Sequence, residues 1–234
     1  MLSAVAIIPS APVLVPELAG AAAAEVADLA AAVLVAAALL PNRWAVIGTG
    51  DTDRVLGPEG LNSVGTFAGF GVDVPVRLSP RTGDGIEQPV EFPLCALLAG
   101  WVRGQAQPGA RAQVRIYRSD HDAGTALACG RSLRAEIDQA RDPIGVLVVA
   151  DGANTLTAAA PGGYHPDDAD AQLALDDALA SGDVAALTRL PEQILGRVAF
   201  QMLAGLAEPG PRSAKELYRG APYGVGYFAG AWQP

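Results

Sequence analysis

Two stretches, "WAVIG" (44–48) and "IGVLVVA" (144–150), are continuously apolar and rich in β-branched residues. A strand with one wet face alternates polar and apolar residues, so an unbroken run implies a strand covered on both faces, as in a parallel sheet between helices. The opening "LSAVAIIP" reads as a third such strand. "AQVRIYRS" (112–119) does alternate, with Val114 and Ile116 opposed to Arg115 and Tyr117, and predicts a strand with one wetter face. Helical patterns lie between them at about 19–40, 90–105, 123–141, 166–181 and 191–208. Strand and helix alternate, which predicts an α/β fold: a three-layer α/β/α sandwich around a central, mostly parallel (mixed) sheet, in a single domain spanning 1–234.

Half of the 234 residues are hydrophobic, enough for a sizeable core. The net charge of −9, with 16 Lys and Arg scattered along the chain, argues against nucleic acid as a partner. "LAAAVLVAAALL" (29–40) is twelve apolar residues long, short of the roughly 20 that span a bilayer, and is expected to be a buried helix rather than a membrane anchor. No basic residue precedes the first short apolar run, so a cleavable signal peptide is not expected and the expected location is cytoplasmic. Cys95 and Cys129 lack C-x-x-C spacing and read as core thiols of a reducing compartment.

Familiar catalytic motifs are missing. "GTGDTD" (48–53) follows a strand, but Asp53 stands where a dinucleotide loop needs its third glycine, and the following "RVLGPEG" is a poor helix start for holding pyrophosphate. There is no P-loop and no G-x-S-x-G elbow, and His121 and His165 are the only histidines. His121 sits in "SDHDAG", which reads equally as a strand end capping the next helix. His165-Pro166-Asp167-Asp168 looks like a helix start with structural carboxylates. The Gly-, Asp- and Pro-rich segment 49–88 reads as a long excursion bordering a site, with one strand at 72–79. "ADGANTLTAAAPGGYHP" (150–166) begins where the most buried strand ends, the usual place for a ligand crevice in open α/β sheets. Asp151, Asn154, Tyr164 and His165 are therefore site candidates, against a reading in which Asp151 and Asn154 only tie the loop to backbone amides.

Three patterns together resemble the class III extradiol dioxygenase superfamily, that is, the catalytic B subunit of protocatechuate ring-cleaving enzymes and its Memo-like relatives. They are the entry loop "IPSAPVLVPE" (8–17), the loop "ADGANTLTAAAPGGY" (150–164) and the closing strand in "APYGVGYFAGAW" (221–232). The resemblance implies a cleft in which active relatives hold ferrous iron by two histidines and a glutamate, with a further histidine moving protons. In this chain the entry-loop histidine falls on Ser10. The second metal histidine should follow "WAVIG", where Thr49-Gly50-Asp51-Thr52-Asp53 stand. The acid/base histidine falls on Asn154 and its neighbouring aspartate on Asp151, and Glu192 is the nearest candidate for the glutamate.

Serine and asparagine are weak ligands for divalent iron. The expectation is a degenerate superfamily member with no cofactor, whose old pocket, lined by Ser10, Asp51, Asp151, Asn154 and His165, binds a small molecule or supports a partner subunit. Its carboxylates favour a neutral or cationic ligand. The alternative is an active ring-cleaving dioxygenase with Fe(II) on a rebuilt set of His121, His165 and Asp51 or Asp53. A homo-oligomer is a further expectation from paired-chain relatives.

Overall fold

In a computed structural model, the protein is described over residues 1–57, 63–81 and 87–234; the parts of the 49–88 excursion at 58–62 and 82–86 lie outside the described residues. The strands are β1 (Leu2–Ile8), β2 (Arg43–Gly50), β3 (Arg54–Leu56), β4 (Ser63–Thr66), β5 (Pro75–Arg77), β6 (Gln88–Pro89), β7 (Arg111–Arg118), β8 (Ile144–Val149), β9 (Ser213–Gly220) and β10 (Tyr227–Gln233). The helices are α1 (Pro16–Ala19), α2 (Ala27–Ala38), α3 (Leu94–Ala106), α4 (Ala123–Gln139), α5 (Asp168–Ser181), α6 (Val184–Leu187) and α7 (Arg197–Ala207).

Seven strands form the main sheet in the order β3-β7-β2-β8-β1-β10-β9. Strands β7, β2, β8 and β1 run parallel, and β3, β10 and β9 pair antiparallel at the two sides. The mixed, centrally parallel α/β architecture expected from the apolar runs is therefore present. Side chains of the central strands divide by alternation: Ala6, Ile8, Val46, Leu147 and Val149 enter one core with α2 and α3, whereas Ile7, Ile47, Val146 and Val148 enter a second core with α4, α5 and α7. Two helical layers thus sandwich the sheet. The alternation of β7 is as expected, with Ala112, Val114 and Ile116 buried in the first core. Its partly polar face, Gln113, Arg115 and Tyr117, is turned to the α4 layer.

Helices α4 and α7 approach closely because glycines face the contact. A Cβ on Gly130 would collide with the Met202 carbonyl oxygen, and one on Gly205 with the Leu127 carbonyl oxygen. Trp232 is fully buried and donates its indole N–H to the Leu179 carbonyl at 2.8 Å, tying the last strand to α5.

Several boundaries differ from the sequence reading. The 19–40 helix is split: α1 and a 3-10 turn at Gly20–Ala24 precede α2, the break falling at Gly20, whose φ of 54° a regular helix does not allow. The 191–208 helix begins only at Arg197, leaving 191–196 as a loop. Of the 72–79 strand, only Pro75–Arg77 pairs, in a small second sheet ordered β5-β4-β6. Strands β3 and β9 were not anticipated, since both are edge strands whose polar residues give no clean alternation. None of the described helices is long and apolar enough to cross a membrane, and "LAAAVLVAAALL" lies largely in α2, which buries Leu29, Ala32, Val33, Ala36 and Ala37.

Candidate functional site

Parallel strands β1, β2 and β8 end on the same side of the sheet, so the loops that follow them converge. Each strand end supplies one polar group there: Ser10 from the loop after β1, Thr49 from the end of β2 itself and Asp151 from the loop after β8. They line a cleft of about 120 Å³, completed by Cys95, Val149, Ala150, Leu195 and Gly196. The backbone N–H of Ser10 donates to Asp151 Oδ1 at 2.7 Å, so two of the resembling motifs meet through a hydrogen bond across 141 residues of sequence.

The floor is held by backbone. Ala150 N–H extends the β1–β8 ladder to the Ile8 carbonyl at 3.0 Å, while Gly196 N–H bonds the Asp151 carbonyl at 2.8 Å and Leu195 N–H the Gly152 carbonyl at 3.2 Å. Gly196 is required by proximity, because a Cβ there would lie 2.6 Å from Ala150 Cβ and 2.7 Å from the Asp151 carbonyl oxygen. On the other side Gly48 lets α3 approach β2; a Cβ on it would lie 2.5 Å from Cys95 Sγ.

Electrostatically the cleft is dominated by one carboxyl. Burial pushes Asp151 from its ordinary 3.8 up to about 7, opposed only in part by the Ser10 N–H. Among the described residues no cation is near enough to reverse this, and Tyr227, buried in β10, has its hydroxyl held above the usual tyrosine range by burial and then by the adjacent Asp151 charge. Cys95 is a free, buried thiol raised to about 11 by desolvation, and so is neutral at physiological pH. Near pH 7, then, the site offers two hydroxyls, a thiol and a carboxyl on the edge of protonation.

Of the expected lining, Ser10 and Asp151 are brought together and the rest are not. Asp51 is exposed and borders a neighbouring cavity with Thr52, Arg54, Glu91 and Phe92, because β2 continues to Gly50 before the chain turns. Asn154 stays in its own loop: a Cβ on Gly162 would lie 2.5 Å from its Oδ1, and its carbonyl accepts the Gly162 N–H at 2.9 Å. His165 is exposed beside α5, its N–H donating to the Thr155 carbonyl at 2.9 Å, and Tyr164 and Glu192 are also exposed. The carboxylate of Asp168 accepts the Thr155 hydroxyl at 2.6 Å, which pins this loop to α5, the structural role expected of it.

Of the rebuilt metal set, only His121 and Asp53 meet. His121 Nε2 lies 3.0 Å from Asp53 Oδ1, at the β7–α4 connection, and Asp53 is also fixed by the Arg118 N–H at 2.7 Å. That amide bond, ahead of His121, holds the Asp53 carboxyl below its usual range. Asp122 caps α4 by accepting from Thr125 N–H at 2.9 Å, the capping role read for "SDHDAG". Among the described residues no three His, Cys, Asp or Glu side chains stand close enough to hold a metal ion. A neutral thiol, two hydroxyls and one carboxyl do not fit ferrous iron, which is held by imidazole and carboxylate.

Sequence reasoning missed Cys95, Leu195, Gly196 and Tyr227 as parts of the site. Glycine inside the "WAVIG" strand was the available signal for Cys95, since it marks a close approach; Leu195 and Gly196 were hidden by reading 191–196 as helix.

No family model matches this chain, and no curated protein matches it. Among solved structures it is similar to a crystal structure of the uncharacterised protein JW3007 from Escherichia coli K12, with 9% identity and a TM-score of 0.58 over 98% of this chain and 99% of that one. At that identity the likeness concerns the fold alone.

Proposed function

We propose that the chain is an iron-independent relative of the class III extradiol dioxygenases that uses the β1–β2–β8 cleft to bind a small neutral or cationic molecule. The observation that carries this reading is a single desolvated carboxyl, Asp151, at the convergence of the parallel strands, with the hydroxyls of Ser10 and Thr49 beside it where the resemblance would put imidazoles. A carboxyl poised near neutrality gains most from a ligand that donates a hydrogen bond or brings a positive charge, because either relieves its desolvation. An anion would oppose it. The resemblance of the entry loop, the 150–164 loop and the closing strand to that superfamily supports the reading, since all three border the cleft or abut Asp151. The two free cysteines suit a reducing cytoplasm, and the charge of −9 disfavours nucleic acid. In this role the protein acts alone or as a non-catalytic subunit beside an active chain.

Titration calorimetry with propylamine, propanol and propionate at pH 7.5 tests the charge preference. Amine binding is expected to weaken at least about tenfold in Asp151→Asn, and any propionate binding to be unmoved by it. An amine affinity indifferent to Asp151→Asn, or propionate binding that Asp151→Asn weakens, contradicts the reading.

A further inference from the structure

The opposite end of the sheet carries a different chemistry. At the amino ends of β2, β7 and β8, under α4, lies a cavity of about 210 Å³ lined by three arginines, Arg43, Arg111 and Arg115, together with Gln113 and Glu136. Strand register explains the cluster. Arg43 and Arg111 are direct partners across the parallel β2–β7 pair, and Arg115 lies four residues along the same face of β7. The rest of the wall is apolar: Trp44 and Ala45 from β2, Leu133 and Ile137 from α4, and Ile144.

Two of the guanidinium groups are partly neutralised. Arg43 Nη1 lies 3.1 Å from Asp142 Oδ2, and Arg115 Nη2 pairs with Glu136 and takes a hydrogen bond acceptor in Gln113 Oε1 at 3.0 Å. Arg111 makes no ion pair among the described residues. Three positive and two negative groups leave the site with one net positive charge, in a chain whose overall charge is −9. Arg115 Nε is also the one buried side-chain donor or acceptor among the described residues with no hydrogen-bond partner. An under-satisfied guanidinium is costly, and an anion beside it offsets that cost.

We propose that this cavity is a second ligand site, for a small monoanionic carboxylate with an apolar body. The carboxylate would face Arg111 and the guanidinium of Arg115, and the body would lie against Leu133, Ile137 and Ile144. The net charge matches one negative charge, the apolar wall matches a hydrocarbon or aromatic body, and the volume lies below the roughly 300 Å³ at which drug-sized pockets begin, which restricts the occupant to something of about benzoate size. Guanidinium groups recognise planar oxyanions through their fixed donors, and Glu136, largely exposed, is free to yield its place.

Titration calorimetry of the full chain at low salt with benzoate, benzamide and inorganic phosphate tests this. Benzoate is expected to bind with a submillimolar Kd, and benzamide and phosphate at least about tenfold more weakly. Arg115→Gln should weaken benzoate at least about tenfold, and Arg111→Gln, at a more exposed position, about threefold. Circular dichroism checks that Arg115→Gln is folded; if it is not, the surface variants Arg111→Gln and Arg43→Gln carry the test. No benzoate binding up to about 10 mM, equal affinity for benzamide or for phosphate, or an affinity unmoved by all three substitutions would overturn the proposal.

Discussion

The two ends of the central parallel strands present opposite chemistry. At the carboxyl end, two loops and the end of β2 deliver Ser10, Asp151 and Thr49, and the charge left there is a single carboxyl that no cation among the described residues holds. At the amino end, strand register stacks Arg43, Arg111 and Arg115, and the orphaned group is a donor. The contrast shows two ways a fold can collect function. Loops bring together residues far apart in sequence, whereas a strand face collects residues two apart and its neighbour adds to them in register. The carboxyl-end cleft is therefore sensitive to loop anchoring and the amino-end cavity to the seating of α4.

The largest effect is expected where α4 seats on α7. Gly130→Ala drives a methyl group into the Met202 carbonyl and should cost about 3 kcal/mol, a fall in Tm of roughly 6–12 °C in thermal denaturation. Because α4 supplies Leu133 and Ile137, this change should disturb the amino-end cavity and spare the Asp151 cleft; equal damage to both would dissolve the distinction between them.

Next comes the pH dependence of stability. The carboxyl of Asp151 is raised in the folded chain from 3.8 to about 7, so the folded state retains a proton that the unfolded chain releases. Stability from this group is therefore fully present below about pH 4, is lost as pH rises towards 7, and stays low above it. Asp176, raised by burial to about 6, adds a contribution of the same sign over a narrower window. Asp151→Asn should flatten the slope between about pH 4 and 7 and stabilise the protein at pH 8 by on the order of 2 kcal/mol, read from urea midpoints. An unchanged slope would mean that the cleft carboxyl is solvated like any surface aspartate. The same variant should leave benzoate affinity at the amino end as it was.

A smaller effect concerns loop anchoring. Asp168→Ala removes the acceptor of the Thr155 hydroxyl and should cost about 1 kcal/mol, with faster hydrogen exchange at the His165 and Gly162 amides and none at Arg111–Arg118. Smallest is a difference in thiol chemistry. Cys95, buried and raised to about 11, should alkylate at least about tenfold more slowly than the partly exposed Cys129 at pH 8, measured by mass spectrometry of labelled peptides.

The layered fold was legible because its central strands are buried on both faces, which leaves an unbroken apolar run in the sequence. Edge strands such as Ser213–Gly220 left no such trace, being half-buried and polar. Asp151 was legible as a candidate because it comes just past the end of a buried strand, and Ser10 through the resemblance of the entry loop. Asp51, Asn154 and His165 follow the same strands or loops but diverge, since one or two residues of further strand or turn redirect a side chain away from its neighbours. The arginine cavity was hidden for a different reason. "RAQVRIYR" reads as a strand with a wet face, and only the register with Arg43 and the placement of α4 over that face turn scattered arginines into a cluster.

In the proposed function a carboxyl, rather than imidazole-bound iron, is the working group of the carboxyl-end cleft. The most direct measurement is metal analysis of untagged protein after anaerobic incubation with ferrous iron and desalting, for the natural chain and for Asp151→Ala. No stoichiometric iron in either is the predicted result; one equivalent retained by the natural chain and lost from Asp151→Ala would contradict it.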